Sequence, residues 1–438
     1  MKNTKSQAIQ KKAKQLIPGM SGLLSKRPDM FSLGVWPGYY SKASGAKVWD
    51  LDGNSYIDMS ISGIGANVLG YADPDVNAAV IGAVKKGSSS SLNCPEEVEL
   101  AEELCRMHPW AEMARFARSG GESVAIAIRI ARAHTGCDVV ALCGYHGWHD
   151  WYLSANIGTE NALGEHLIPG LSPAGVPCAL KGTTHVFRYN DLASLEKIFA
   201  ENKNKVAAIV MEPVRNAQPV PGFLEGVRQL ANENSAVLII DEISAGFRMN
   251  CGGAHLLYGV KPDIAVFSKA LGNGYPIAAV IGRASIMEAA QKSFISSTMW
   301  TERIGPVAAL ATIKKFKAVK AHEHLIKIGH LVQDGWRVTS ERYGLPVNIS
   351  GVYPLSHFVF SDKDHLIMKA YFVQEMLERG FLASNLFYSM FAHTRGHVVA
   401  YLAAMDKVFA QIRQLKDSGG LRAALKGEPS AAGFKRIT

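Results

Sequence analysis

Residues 261–282 read KPDIAVFSKALGNGYPIAAVIG, and residues 236–248 just upstream read AVLIIDEISAGFR. In each, a short run rich in β-branched residues, Ile264–Phe267 or Ala236–Ile240, stops abruptly at polar or glycine-containing text. Such runs, bounded by turn signals, read as buried strands. Val139–Cys143 and Val206–Met211 repeat the pattern, Ala278–Ile281 adds a further strand, and helical text fills the gaps. Residues 119–290 therefore read as an α/β domain with a mostly parallel central sheet flanked by helices. In open sheets of this kind ligands sit outside the carboxyl ends of the strands. The text after four of these strands, GYHG, EP, DE and SK, is expected to converge on one crevice.

Outward from this core, Asp73-Pro74 opens a helix that Gly87 closes, and Pro95 opens another that runs through Met107. Beyond about residue 305, helical stretches near 306–320, 322–343, 364–379 and 396–416 surround the apolar segment Leu355–Phe360, a pattern suited to a smaller α+β domain. Residues 47–58, KVWDLDGNSYID, contain two β-rich runs joined by Asp52-Gly53, a hairpin signal. The expected partition is an N-terminal segment, 1–59, packing with the small domain, then a large domain, 60–305, and the small domain proper, 306–438.

Composition narrows the class. Of the 438 residues, 48% are hydrophobic and 19% charged, with no low-complexity tract, so the chain should fold through most of its length. The net charge of +9 is dispersed apart from Lys11, Lys12 and Lys14, which argues against a nucleic-acid surface and suits anionic small molecules. The first fifteen residues lack the apolar run of a signal peptide, and no stretch approaches the roughly 18 apolar residues of a membrane span. The expectation is a cytoplasmic protein with no membrane association. Six cysteines show no CxxC pair, so neither disulfides nor a zinc site are expected. His146 and His149 in YHGWHDW lack the acidic partner and spacing of a zinc protease, so no metal is expected there.

Four features could carry chemistry. Residues 116–133, FARSGGESVAIAIRIARA, read as a strand end, a glycine turn and a helix, with Ser119 and Glu122 spaced as a capping box. The N–H groups of Gly120 and Gly121 would then lie at a positive helix terminus, a seat for a phosphate, although an ordinary capped turn has the same text. Asp241 and Glu242 arrive at the sheet edge, where a lone carboxylate commonly just caps a loop. Lys269 follows 28 residues after Asp241, directly behind a buried strand. Desolvation there would lower its pKa and make the amine a nucleophile toward an aldehyde. Tyr145, at the end of VVALC, offers an aromatic face. An amine, a carboxylate, a phosphate seat and a stacking ring together are what pyridoxal 5′-phosphate (PLP) requires.

Through these residues the chain resembles the class III (subgroup II) aminotransferases of PLP fold type I. That group includes glutamate-1-semialdehyde aminomutase and the ornithine and ω-amino acid transaminases. PG at 18–19, GAKVWDLDGNSYID, SGGES, YHGWHD, EP at 212–213, DEISAGF, KPDI and SKALGNGYPIAAVIG occur in family order from about Ile17 to the C-terminal helix. The resemblance implies that Lys269 forms the internal aldimine and shuttles the proton between substrate and cofactor, and that Asp241 keeps the pyridine nitrogen protonated. It implies further that Tyr145 stacks on the ring, that Ser119, Gly120 and Gly121 grip the phosphate, and that Glu212 and Ser244 join the cofactor shell. In the family a threonine from the neighbouring subunit completes the phosphate site of a homodimer with shared active sites. Thr301 keeps the threonine-to-proline spacing, with Thr298 as the second choice.

Three departures stand out. DEVQTGFG of many relatives has become DEISAGFR, with Ser244 and Ala245 where a glutamine approaches the ring hydroxyl. SGTEA has become SGGES, which removes a threonine hydroxyl at Gly121. Lys26 and Arg27 stand in a changed context where aminomutases bind a substrate carboxylate. Within the family, STMWTERIGP and YHGWHDWY are most similar to transaminases of sugars or sugar acids. This implies an acceptor of the 3-deoxy-octulosonate type, as found in lipopolysaccharide biosynthesis, with glutamate as donor and a pyridoxamine phosphate intermediate. An intramolecular aminomutase is the rival enzyme. A racemase, a decarboxylase, or a PLP-fold protein without catalysis are remoter readings.

Overall fold

The computed structural model describes residues 3–434 apart from 165, 167 and 168. The chain separates into two compact units, one made of 1–73 with 323–438 and the other of 74–322. It opens with helix α1 (Thr4–Leu16) and a meander of strands β1 (Tyr40–Ser44), β2 (Lys47–Asp50) and β3 (Ser55–Met59). The 74–322 unit follows with α2 (Pro74–Lys85), α3 (Pro95–Met107), β4 (Met113–Ala117), α4 (Gly120–Thr135), β5 (Val139–Cys143), the short helices α5 (Asp150–Leu153) and α6 (Ala155–Gly158), and β6 (Thr184–Val186). It continues through α7 (Leu192–Glu201), β7 (Val206–Met211), α8 (Phe223–Glu233), β8 (Val237–Asp241), β9 (Ile264–Phe267), β10 (Ala278–Gly282), α9 (Ala284–Met287) and α10 (Ile304–Ala318). The last stretch is α11 (Ala321–Tyr343), β11 (Val347–Ser350), β12 (Leu355–Phe360), α12 (His365–Glu378), β13 (Phe381–Ala383), β14 (Leu386–Tyr388) and α13 (Arg395–Asp417).

The central sheet of the 74–322 unit has the order β4-β10-β9-β8-β7-β5-β6. β6, β5, β7, β8 and β9 run parallel to one another, while β10 is antiparallel to both of its neighbours. Every residue of β5, β7, β8 and β9 is buried, as expected for strands covered on both faces. The two-residue period divides their side chains cleanly. Val140, Leu142, Ala208, Val210, Val237, Ile239, Ile264 and Val266 pack with Val124, Ile128 and Ala131 of α4. Ala141, Ile209, Met211, Leu238 and Ile240 pack on the other face with Leu195 and Phe199 of α7 and Phe223 and Val227 of α8. Burial of each large side chain contributes roughly 1.5–3 kcal/mol, so this three-layer core holds the strand ends rigidly.

The other unit contains two sheets, β1-β2-β3-β13 and β11-β12-β14. The β2–β3 turn is held by the Asp50 carboxylate, whose Oδ1 accepts the N–H groups of Asp52 and Asn54 at 2.9 Å, while Gly53 takes φ +89°. β13 joins in parallel beside β3, so the N-terminal meander is completed by a C-terminal strand. Trp336, Phe358, Phe372 and Phe409 form the aromatic centre of this core. Among the described residues no helix is long and apolar enough to cross a membrane, and no group of three or more His, Cys, Asp or Glu is placed to hold a metal.

Candidate active site

Lys269 follows β9 after a single residue, Ser268, and adopts φ +47°, a left-handed conformation that costs a non-glycine residue roughly 1–2 kcal/mol. The bend turns the chain at the carboxyl end of the sheet, and the Lys269 Nζ donates to Ser244 Oγ at 2.8 Å. The side chain is partly reachable from solvent yet set deep in protein. Burial lowers the pKa of its amine to about 8, Arg215 adds repulsion, and Glu212 and Asp241 act in the opposite sense. Only the neutral amine attacks an aldehyde, so attachment should accelerate as pH rises and level off above about 8. Stopped-flow absorbance between pH 6 and 11 would test this. A rate still climbing near pH 10.5, where an ordinary lysine titrates, would contradict the assigned environment.

Asp241 closes β8 and is 2% exposed. Its Oδ2 lies 2.7 Å from His146 Nδ1, and its Oδ1 accepts the Ile243 N–H at 2.9 Å. His146 Nε2 in turn faces the Cys143 carbonyl at 3.2 Å. The carboxylate is thus locked in orientation from two sides. Glu242, its neighbour, turns to a separate buried cluster, where Oε1 accepts the His255 N–H and sits 2.7 Å from His255 Nδ1. Of the two carboxylates in DEIS, only Asp241 belongs to the lysine's surroundings.

Tyr145 follows β5 and is half-buried, with its ring edge-on to Tyr152 at 5.9 Å. Its N–H donates to Glu212 Oε2 at 3.3 Å, and Glu212 is paired with Arg215 at 2.9 Å. Ser119 and Glu122 occupy the capping-box positions of α4, with the Ser119 N–H donating to Glu122 Oε2 at 2.8 Å. A Cβ on Gly120 would lie 2.8 Å from Ile243 Cδ1, and one on Gly121 would lie 2.8 Å from His149 Cε1. The start of α4 is therefore packed closely by Ile243 and His149 where side chains at 120 and 121 would begin, and its first-turn N–H groups have no intrahelical acceptor. Thr301 lies in a short helical turn, is exposed, and donates to the Thr298 carbonyl at 3.2 Å. It is not brought to Lys269 among the described residues of one chain.

Lys269, Ser244, Asp241, Glu212 and Tyr145 thus share one region at the strand ends. Sequence reasoning missed His146, His149 and Arg215. His146 and His149 were visible only as members of YHGWHDW, and Arg215 follows the EP pair by two residues. Beside Glu212 opens a cavity of about 340 Å³, lined among others by His166, Arg188, Asn190, Arg215 and Asn216.

The sequence pattern of the family described as "Aminotransferase class-III" matches residues 34–389. The 3-aminobutyryl-CoA aminotransferase of Cloacimonas acidaminovorans is 33% identical over 429 residues, covering 95% of this chain and 99% of that protein. A glutamate-1-semialdehyde 2,1-aminomutase of Anaeromyxobacter dehalogenans is 34% identical over 435 residues, covering 94% and 99%. Among solved structures, the FumI protein of Sphingopyxis sp. MTA144 in its PLP internal aldimine form superimposes with a TM-score of 0.86 at 25% identity, covering 98% of this chain and 99% of that one.

Proposed function

The chain belongs to the class III aminotransferases and so is a PLP enzyme of fold type I, and on that footing we propose that Lys269 carries the cofactor and Asp241 holds its ring nitrogen. The observation that supports this most is the meeting of a lysine of lowered pKa with a doubly anchored carboxylate at one sheet edge. The start of α4 fits the cofactor's phosphate through the backbone N–H groups of Gly120 and Gly121 at the positive end of a 16-residue helix.

When bound, PLP supplies an electron sink for the carbon that bears the substrate nitrogen. Lys269 Nζ, held by Ser244 Oγ at the position where the family resemblance places a glutamine, is the base that takes a proton from that carbon and returns it. Asp241, fixed by His146 and the Ile243 N–H, provides the negative charge that favours a protonated ring nitrogen. Tyr145 covers the ring, and Glu212 fixes the Tyr145 backbone while neutralising Arg215. Thr301 of a second copy completes the phosphate site in a homodimer with shared active sites.

For the substrates, we assign an amino acid donor, glutamate, and an anionic hydroxylated keto or aldehyde acceptor such as a 3-deoxy-octulosonate-type sugar acid. The cavity beside Glu212 supports this. Arg188 and Arg215 outweigh the single Glu212 carboxylate, which suits an acid group, and Asn190 and Asn216 supply amides suited to hydroxyls. Arg215→Met should raise the KM for such an acceptor by about tenfold or more, the worth of a charge-assisted hydrogen bond. An unchanged KM would remove the cavity from the acceptor's path. The aminomutase relatives favour a second reading, an intramolecular exchange. Single-turnover assays separate the two. Glutamate alone should release one 2-oxoglutarate per cofactor, whereas a mutase converts one substrate with no partner and releases no keto acid.

A further inference from the structure

We propose that the imidazole of His149 is a ligand to the cofactor phosphate and takes the place of the threonine hydroxyl that this chain lacks at position 121. The proposal rests on the PLP reading above. The SGGES motif leaves Gly121 with no hydroxyl to offer, yet the space beside it is filled. A Cβ built on Gly121 would lie 2.8 Å from His149 Cε1 and 3.0 Å from His149 Nδ1, so the imidazole stands where a side chain at 121 would go. The loop carrying it comes very close to the helix. A Cβ on Gly147 would lie 3.2 Å from the Gly121 Cα, and Gly147 adopts φ +107°. Two facing glycines therefore admit the ring to the start of α4.

The ring is also held and left with work to do. Trp148 stacks on it at 4.6 Å between centroids with an interplanar angle of 27°. His149 Nδ1 is shielded from solvent and has no hydrogen-bond partner among the described residues. A shielded ring nitrogen without a partner is costly unless something fills the gap. The nearest unmet demand is the first turn of the 16-residue helix α4, whose N–H groups and dipole favour an anion. A phosphate seated there would accept from His149 Nδ1–H as well as from the backbone of Gly120 and Gly121.

The test is equilibrium titration of the full-length apo-protein with PLP and with pyridoxal, which lacks the phosphate, followed by absorbance. His149→Ala should weaken PLP by about tenfold or more and leave pyridoxal within about twofold. Gly121→Thr alone should also weaken PLP, because threonine and imidazole compete for one volume. The double variant Gly121→Thr with His149→Ala should regain most of the loss. If His149→Ala proves unfolded by circular dichroism, His149→Asn is titrated instead and should show the same selective loss, smaller in size. Unchanged PLP affinity, or equal weakening of both ligands, would overturn the assignment. A wild-type protein that attaches neither ligand at Lys269 would overturn the cofactor reading itself, a separate and recognisable outcome.

Discussion

Replacing Lys269 with alanine should lower transamination by at least about ten-thousand-fold while leaving the protein folded. Two roles are lost together, the covalent anchor for the cofactor and the base at the substrate carbon, so added PLP should not restore turnover. The fold should survive because the side chain is not part of either packed face of the sheet. Its amine is in fact a burden on the apo-protein. The folded pKa of about 8 lies below the ordinary 10.5, so stability present above pH 10.5 is lost as pH falls through about 8. At pH 7 the alanine variant escapes that cost. Calorimetry should find it melting no lower than wild-type apo-protein, with the advantage shrinking toward pH 10.5. Full activity in the variant would exclude Lys269 as the nucleophile.

Asp241→Asn should lower turnover by about a hundredfold to a thousandfold with little loss of cofactor affinity. Asparagine keeps an oxygen that can accept from His146 or from the Ile243 N–H, contacts that in the wild type measure 2.7 and 2.9 Å. What disappears is the negative charge. Without it the ring nitrogen is no longer held protonated and the electron sink weakens, so kcat should fall far more than the Kd for PLP rises. Equal turnover in the two proteins would deny Asp241 its part.

How far the sequence foretells this arrangement depends on the range of the interactions involved. β5, β7 and β9 begin and end where the β-branched runs do, because a fully buried strand must be apolar throughout and stops where polarity returns. Asp241 proves to be the last residue of β8 rather than the first beyond it, so its carboxylate is positioned by the sheet itself. The Ser119–Glu122 cap is legible because capping is local. β4 is legible only at its end, before the glycine turn, because MARFA carries an arginine and is mostly half-buried, and β6 escapes notice because an edge strand of three residues has no period to detect. β10 reads as a strand, but its antiparallel direction depends on its neighbours rather than on its own text. The partners of the site residues are hidden for the same reason. His146 meets Asp241 across 95 residues of chain, and His149 reaches Gly121 only because two glycines let a loop approach a helix.

The functional reading stands on one covalent assignment. Borohydride reduction of the pure protein loaded with PLP, followed by peptide mass mapping, should leave a phosphopyridoxyl group on the peptide that contains Lys269 and on no other lysine in comparable yield. A label carried by a different lysine, or none at all with the cofactor in excess, would contradict it.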